Sequence, residues 1–102
     1  MTENPTSDIS RDAALTALSR CRQQIEAVDR ELIQLLAKRV GLSKEIGAVK
    51  KVAGLPTLDP AREAEVIRRA AAMARESGLS DEKVRDIFWH IIGLSRAVQV
   101  DE

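Results

Sequence analysis

Two cations lie within the apolar stripe of a long predicted helix. Arg39 and Lys50 are 11 residues apart, which on an α-helix is about 16 Å along the axis and within about 20° in azimuth. The neighbouring positions of the stripe include Leu32, Leu36 and Ile46. Because an unpaired charge in an apolar seam is costly, we expect an anionic partner there. Two long side chains at this spacing can reach toward each other and hold a small dianion.

Arg22 belongs to the same apolar stripe but lies far from Arg39 and Lys50. It precedes Arg39 by 17 residues, which corresponds to about 25 Å along the helix and a rotation of roughly 100°. That distance is too large for both arginines of one chain to serve the same small ligand. In an antiparallel two-fold dimer, however, Arg22 of one chain can reach the Arg39 region of the other.

Polar residues at the start of the second predicted helix and the end of the third complete the candidate set. They are Asp59, Arg62, Glu63, Ser95 and Gln99. If a compact bundle brings them to the two cations of the first helix, the result is a cavity with several cations, neutral donors and one or two carboxylates. Such a cavity suits a polyanionic small molecule that carries a hydroxyl. Each residue has an ordinary structural explanation when taken singly, so the prediction depends on the whole set.

Composition limits the class of protein. The 102 residues carry 16 basic and 16 acidic side chains and only two aromatic residues, Phe88 and Trp89. Neither a basic face nor an aromatic platform is evident, which argues against nucleic acid as a partner. No apolar run approaches the length of a membrane span, and the N-terminus lacks the apolar core of a signal peptide, so we expect a cytoplasmic protein. No metal-ligand cluster or cofactor motif is visible, and we expect neither a metal nor a cofactor.

The predicted organisation is a flexible N-terminal tail over residues 1–11 and one helical domain over residues 12–102. The first helix should run from about Asp12 to Ala53, because no proline interrupts it and Gly54 provides a stop signal. About 40 helical residues extend about 60 Å, whereas a compact chain of about 100 residues has a radius of gyration of about 13 Å. We therefore expect an intertwined homodimer in which two bundles share the first helix.

Capping residues delimit the two shorter helices. Asp59 is a good N-cap for the second helix, and Pro60 fits its first turn. Gly78 closes the second helix, and Ser80 caps the third. The predicted fold class is all-α, with three helices per chain and one very long first helix.

Four motifs occur in a recognisable order. They are L-x-x-x-R-x-x-I-x-x-V-D-x-x-L-I-x-L-L-A-x-R over Leu18–Arg39, the lysine-rich stretch Lys44–Lys51, D-P-x-R-E over Asp59–Glu63, and F-x-x-I-I-x-x-S-x-x-x-Q over Phe88–Gln99. Each is weak by itself, but together they resemble the all-helical chorismate mutases of the shikimate pathway. The resemblance covers nearly the whole predicted helical domain.

This resemblance implies an intertwined homodimer with two equivalent active sites, each built from both chains. Arg22 is similar to the arginine that the partner chain donates to one substrate carboxylate. Arg39 is similar to the arginine that holds the other carboxylate within its own chain. Lys50 and Gln99 are similar to the pair that hydrogen-bonds the ether oxygen of the substrate.

The remaining candidates also have counterparts in the resemblance. Glu63, together with the backbone at Asp59, looks like the binder of the ring hydroxyl. Arg62 and Ser95 look like supporting contacts around the carboxylates.

The resemblance implies conversion of chorismate to prephenate, a [3,3] rearrangement that transfers no proton. Such a site works by selecting a compact conformer and by stabilising negative charge on the ether oxygen. Two alternatives stay open: an isochorismate-pyruvate lyase of the same fold, and a non-enzymatic dimerisation module in which Arg39 and Lys50 set the helix register. Glu63 and the complete D-P-x-R-E motif favour the mutase.

Overall fold

The computed structural model describes residues 5–100, which form three α-helices: α1 (Pro5–Ala53), α2 (Pro60–Glu76) and α3 (Asp81–Val100). No strand occurs among these residues. The all-α prediction, with three helices and a very long first one, is confirmed. None of the described helices is both long and apolar enough to cross a membrane.

The first helix begins earlier than expected. It starts at Pro5 rather than near Asp12. Proline suits a first helical turn, where its missing N–H has no partner to lose, and no glycine or further proline separates Pro5 from Asp12. Part of the predicted tail over residues 1–11 is therefore helical, while residues 1–4 lie outside the described residues.

A glycine-based cap ends α1. Gly54 adopts a positive φ of 70°, a conformation that costs glycine little because it has no Cβ. The N–H of Leu55 donates to the Lys50 carbonyl at 2.8 Å, and the N–H of Gly54 donates to the Lys51 carbonyl at 3.2 Å. This is the Schellman arrangement, which satisfies two carbonyls left unpaired at a helix end. It fixes the point at which the chain leaves the helix, after Ala53 and within one turn of Lys50.

Side-chain caps begin the other two helices, as predicted. The Asp59 Oδ1 accepts a hydrogen bond from the Arg62 N–H at 3.1 Å, and the Ser80 Oγ accepts one from the Lys83 N–H at 3.2 Å. Gly78, with a φ of 73°, follows the C-terminus of α2. The short connections set by these residues return α3 alongside α2.

The chain divides into two units between Leu35 and Leu36. In the C-terminal unit, α2 and α3 pack directly on each other. The buried apolar residues of this unit are Ile67, Ala70, Ala71, Ala74 and Ile92. Three of the four on α2 are alanines, whose small side chains permit close approach of two helix backbones.

Much of the apolar stripe of α1 is uncovered in the single chain. In the N-terminal unit Val28 is 52% exposed and Leu35 is 61% exposed. In the C-terminal unit Leu42 is 49% exposed and Val49 is 66% exposed. These four residues recur every seven positions, the spacing of a seam that packs against another helix.

The alanine stripe of α2 yields a test of the packing. Ala71 is 1% exposed, so the substitution Ala71→Leu should force α2 and α3 apart and reduce the free energy of unfolding by about 1–3 kcal/mol. Ala61→Leu, at an exposed position of the same helix, is the control and should change it by less than about 0.5 kcal/mol. Urea unfolding measures both. Equal effects at the two positions would contradict the packing described here.

Candidate active site

One cavity in the C-terminal unit gathers most of the predicted site. Its volume is about 310 Å³, within the range of small-molecule sites. Seven predicted site residues line it: Arg39, Lys50, Asp59, Arg62, Glu63, Ser95 and Gln99. Arg22 is not among the lining residues; it lies in the N-terminal unit, with its side chain exposed to solvent.

Hydroxyl groups position Arg39. Its guanidinium donates to the Ser95 Oγ at 2.5 Å, and the buried Ser43 also donates its hydroxyl to that Oγ, at 2.8 Å. A hydroxyl oxygen has two acceptor lone pairs and one proton. With both lone pairs engaged, Ser95 keeps its proton for a ligand, and Arg39 keeps four of its five N–H donors. The arrangement offers several converging donors to an anion.

Lys50 is held by a backbone carbonyl and an amide. Its Nζ donates to the Thr57 carbonyl at 2.8 Å and to the Gln99 Oε1 at 3.4 Å. An ammonium has three donors, so one stays available for a ligand in the cavity. Because the Gln99 oxygen faces Lys50, its amide NH₂ can also donate to a ligand. A cation and a neutral donor are thus adjacent on the cavity wall.

Close approach of α3 to α1 makes the Lys50–Gln99 contact possible. A Cβ placed on Gly47 would lie 3.2 Å from the Gln99 Cγ and 3.4 Å from its Cα. A side chain at position 47 would therefore require Gln99 to shift by a few tenths of an ångström. Glycine at position 47 thus has a steric role: it leaves room for Gln99 beside α1.

The first turn of α2 contributes charged groups at the opening. Asp59 caps the helix through its side chain, and its carbonyl accepts from the Glu63 N–H at 3.0 Å. Arg62 pairs with Glu65 at 3.4 Å, with both side chains about half exposed. An exposed pair of this kind contributes little to stability, so Arg62 is free to turn toward a ligand.

Glu63 forms an ion pair with Arg96 of α3. The Arg96 Nε donates to the Glu63 Oε2 at 2.7 Å, and its NH2 group donates to the Oε1. These hydrogen bonds, aided by the charges of Arg96 and Lys50, outweigh partial desolvation and lower the pKa of Glu63. Glu63 is therefore a carboxylate at neutral pH and acts only as an acceptor.

The electrostatics of the cavity favour an anion. Its charged lining residues are four cations and two carboxylates, a net charge of +2. Apolar side chains also line it, those of Leu42, Ile46, Leu58, Val66 and Ile92. Such surroundings of low polarity strengthen the charge interactions inside. Over residues 5–100, no cluster of His, Cys, Asp or Glu is suited to holding a metal ion.

Three contributors were missed by sequence reasoning. Ser43 was not predicted as a site residue, although a small polar residue in the apolar stripe, one turn after Arg39, was a usable signal. Arg96 directly follows Ser95 but belongs to no motif, and only the packing of α3 on α2 brings it to Glu63. The Thr57 carbonyl is a backbone group, so no side-chain pattern could indicate it.

Over the described residues, fold and cavity together define an all-helical protein with a small-molecule-sized cavity of net charge +2. The family model described as chorismate mutase type II matches residues 21–100. The chain therefore belongs to the chorismate mutase type II family, a family of isomerases.

Similar proteins agree with this assignment. The chorismate mutase of Methanocaldococcus jannaschii is 28% identical over 82 residues, which cover 80% of this chain and 83% of that protein. The 4-amino-4-deoxychorismate mutase of Streptomyces venezuelae is 31% identical over 75 residues, which cover 74% of this chain and 73% of that protein. The T-protein of Haemophilus influenzae is 38% identical over 73 residues, covering 72% of this chain. The match spans only 19% of that T-protein.

The fold also has a solved counterpart. A conserved hypothetical protein from Pyrococcus furiosus superposes with a TM-score of 0.67 and 37% sequence identity. The match covers 82% of this chain and 96% of that one. The helical architecture is thus shared by a protein that the match spans almost completely.

Gly47 provides a test of the site geometry. Gly47→Ala should destabilise the protein, because the new Cβ meets Gln99, even though alanine is intrinsically the better helix former. Gly41→Ala is the matched control: its Cβ meets nothing within 4 Å, and it should stabilise by about 0.5–1 kcal/mol. Urea unfolding compares the two. If Gly47→Ala stabilises as much as Gly41→Ala, the close approach is wrong.

Proposed function

We propose that the chain is a chorismate mutase that converts chorismate to prephenate. Chorismate has two carboxylates, a ring hydroxyl and an ether oxygen that gains negative charge as the C–O bond breaks and a C–C bond forms. The observation that carries the proposal is the convergence of Arg39, Lys50 and Gln99 in one cavity of net charge +2. No proton moves in this rearrangement, so the site requires no acid–base pair.

Arg39 and Ser95 bind one carboxylate in this proposal. Arg39 presents a planar set of donors that matches a carboxylate, and its contact with Ser95 at 2.5 Å fixes its direction before the substrate arrives. Ser95 donates its remaining proton to the same carboxylate. Holding that group fixed selects the compact substrate conformer in which the reacting carbons are close.

Lys50 and Gln99 stabilise the transition state. The unused N–H of Lys50 and the amide NH₂ of Gln99 both donate to the ether oxygen, whose negative charge rises as the C–O bond lengthens. Because the Thr57 carbonyl already holds the ammonium at 2.8 Å, little reorganisation is needed during the reaction. Preorganised donors aimed at developing charge are among the largest contributions to catalysis.

The start of α2 binds the ring hydroxyl. Glu63 is ionised and lines the cavity, so it accepts a hydrogen bond from the hydroxyl, and the backbone at Asp59 lies beside it. Arg62, held only by an exposed pair, supports a carboxylate at the opening.

A homodimer completes the site in this proposal. The exposed residues Val28, Leu35, Leu42 and Val49 provide the seam for a second copy, and covering such a surface is favourable at about 25 cal/mol per Å². Arg22 of the second copy supplies the cation for the other carboxylate. The dimer is then a requirement for catalysis as well as for stability.

The decisive assay incubates the purified protein with chorismate and, separately, with isochorismate, and identifies the products. We expect prephenate from chorismate, whereas pyruvate from isochorismate alone would indicate the lyase.

Lys50→Ala should lower kcat/KM for chorismate by about 100- to 1,000-fold through loss of an ether-oxygen donor. The exposed neighbour in Lys51→Ala is the control and should retain activity. Failure of the wild-type protein to form prephenate would refute the proposal.

Subunit mixing tests whether Arg22 acts across the dimer. Arg22→Ala and Lys50→Ala should each be nearly inactive, but co-refolding them in equal amounts makes half of the dimers mixed, each with one intact site. About one quarter of wild-type activity should return.

Mixing Arg39→Ala with Lys50→Ala provides the control for this experiment. Both residues belong to the same chain's cavity, so every site in a mixed dimer carries a defect and no activity should return. If the mixture of Arg22→Ala and Lys50→Ala also regains no activity although the chains exchange, Arg22 does not complete the partner's site.

A further inference from the structure

The Glu63–Arg96 pair is the strongest charged contact inside the cavity. Arg96 engages both oxygens of Glu63, with Nε to Oε2 at 2.7 Å, and both residues line the cavity. The Glu63 side chain is only 16% exposed, whereas that of Arg96 is 48% exposed. The carboxylate therefore lies inside the site and the arginine reaches it from the rim.

This pair changes what Glu63 can accept. A carboxylate has about four lone-pair positions, and the two hydrogen bonds from Arg96 leave others open. Glu63 can still accept a hydrogen bond from a neutral hydroxyl. Its charge, however, is already matched by a guanidinium in direct contact, so it offers little net attraction to a second cation.

The rest of the cavity reinforces this selectivity. Arg39, Lys50 and Arg62 also line it, and the net charge of +2 matches a dianion whose other substituents are neutral. A ligand with an ammonium in place of the hydroxyl lowers its own charge to −1. It also places its cation beside Arg96. Two like charges in close contact repel each other, and more strongly in a partly desolvated cavity than in water.

We propose that Arg96 is a specificity-determining residue, which makes the cavity prefer hydroxyl-bearing dicarboxylates over counterparts with an ammonium at the same ring position. The inference rests on the proposed function for the identity of the two ligands, chorismate and 4-amino-4-deoxychorismate. Arg96 acts by matching the charge of Glu63 and by repelling a ligand cation beside it, so it determines specificity and is not a catalytic residue.

The test compares kcat/KM for the two substrates in wild-type protein and in Arg96→Gln. We expect the wild type to prefer chorismate and Arg96→Gln to shift the ratio on the order of 10-fold toward the amino substrate, after allowance for screening at the rim. Arg96→Lys, which restores the cation, should recover most of the preference. Arg69→Gln is the matched control because Arg69 pairs with a glutamate on α2 but does not line the cavity; its ratio should equal that of the wild type.

The pH dependence adds a readout that a purely structural role would not move. The amine is an ammonium well below its pKa and neutral above it, so the wild-type preference for chorismate should weaken as pH rises toward that pKa. In Arg96→Gln the preference should change less over the same range. Arg96→Met, which keeps the apolar stem of the side chain, repeats the comparison if Arg96→Gln unfolds.

The outcomes separate this inference from the proposed function. A ratio within twofold of wild type in a folded Arg96→Gln that still turns over chorismate would overturn the inference alone. If the wild type turns over neither substrate, the proposed function fails. The inference is then decided by the dissociation constants of a bicyclic dicarboxylate bearing a hydroxyl and of its amino counterpart, measured in the wild type and in Arg96→Gln. An unchanged ratio of those constants would overturn it.

Discussion

Two cations on the inward side of a long helix must be given polar partners, and much of the C-terminal unit is arranged to supply them. Arg39 contacts Ser95, whose oxygen also accepts from the buried Ser43. Lys50 contacts the Thr57 carbonyl and Gln99. None of these partners neutralises the positive charge, because all of them are neutral. The carboxylates of Asp59 and Glu63 also line the cavity but leave it with a net charge of +2, which the proposed dianionic ligand would match.

Small residues make this arrangement possible. The alanines of α2 allow α3 to pack closely, and Gly47 leaves room on α1 for Gln99. The Schellman cap at Gly54 ends α1 within one turn of Lys50, so that the following loop can bring the Thr57 carbonyl back to the Lys50 ammonium. Packing, helix ends and site chemistry therefore depend on the same few positions. We expect a change at any of them to alter the geometry of the cavity.

Much of this structure could be predicted from local chemistry. Asp59, Ser80 and the glycines at 54 and 78 mark helix ends because their conformations or side chains satisfy backbone groups there. Arg39 and Lys50 stand out because a charge in an apolar stripe needs an explanation. The predicted start of α1 near Asp12 was wrong, because no residue between Pro5 and Asp12 prevents the helix from beginning earlier. Arg96 and the Thr57 carbonyl were missed because their roles arise only from packing. The role of Arg22 stays a prediction, since a single chain leaves it exposed.

We propose that Arg39, Lys50 and Gln99 of one chain and Arg22 of another surround the reacting dianion. A crystal structure with a bound bicyclic dicarboxylate that mimics the transition state would test this arrangement. We expect one carboxylate on Arg39, the ether oxygen within hydrogen-bonding distance of the Lys50 Nζ and the Gln99 amide, and the second carboxylate on Arg22 of a second chain. A ligand bound outside this cavity, or one enclosed by a single chain with Arg22 remote, would contradict it.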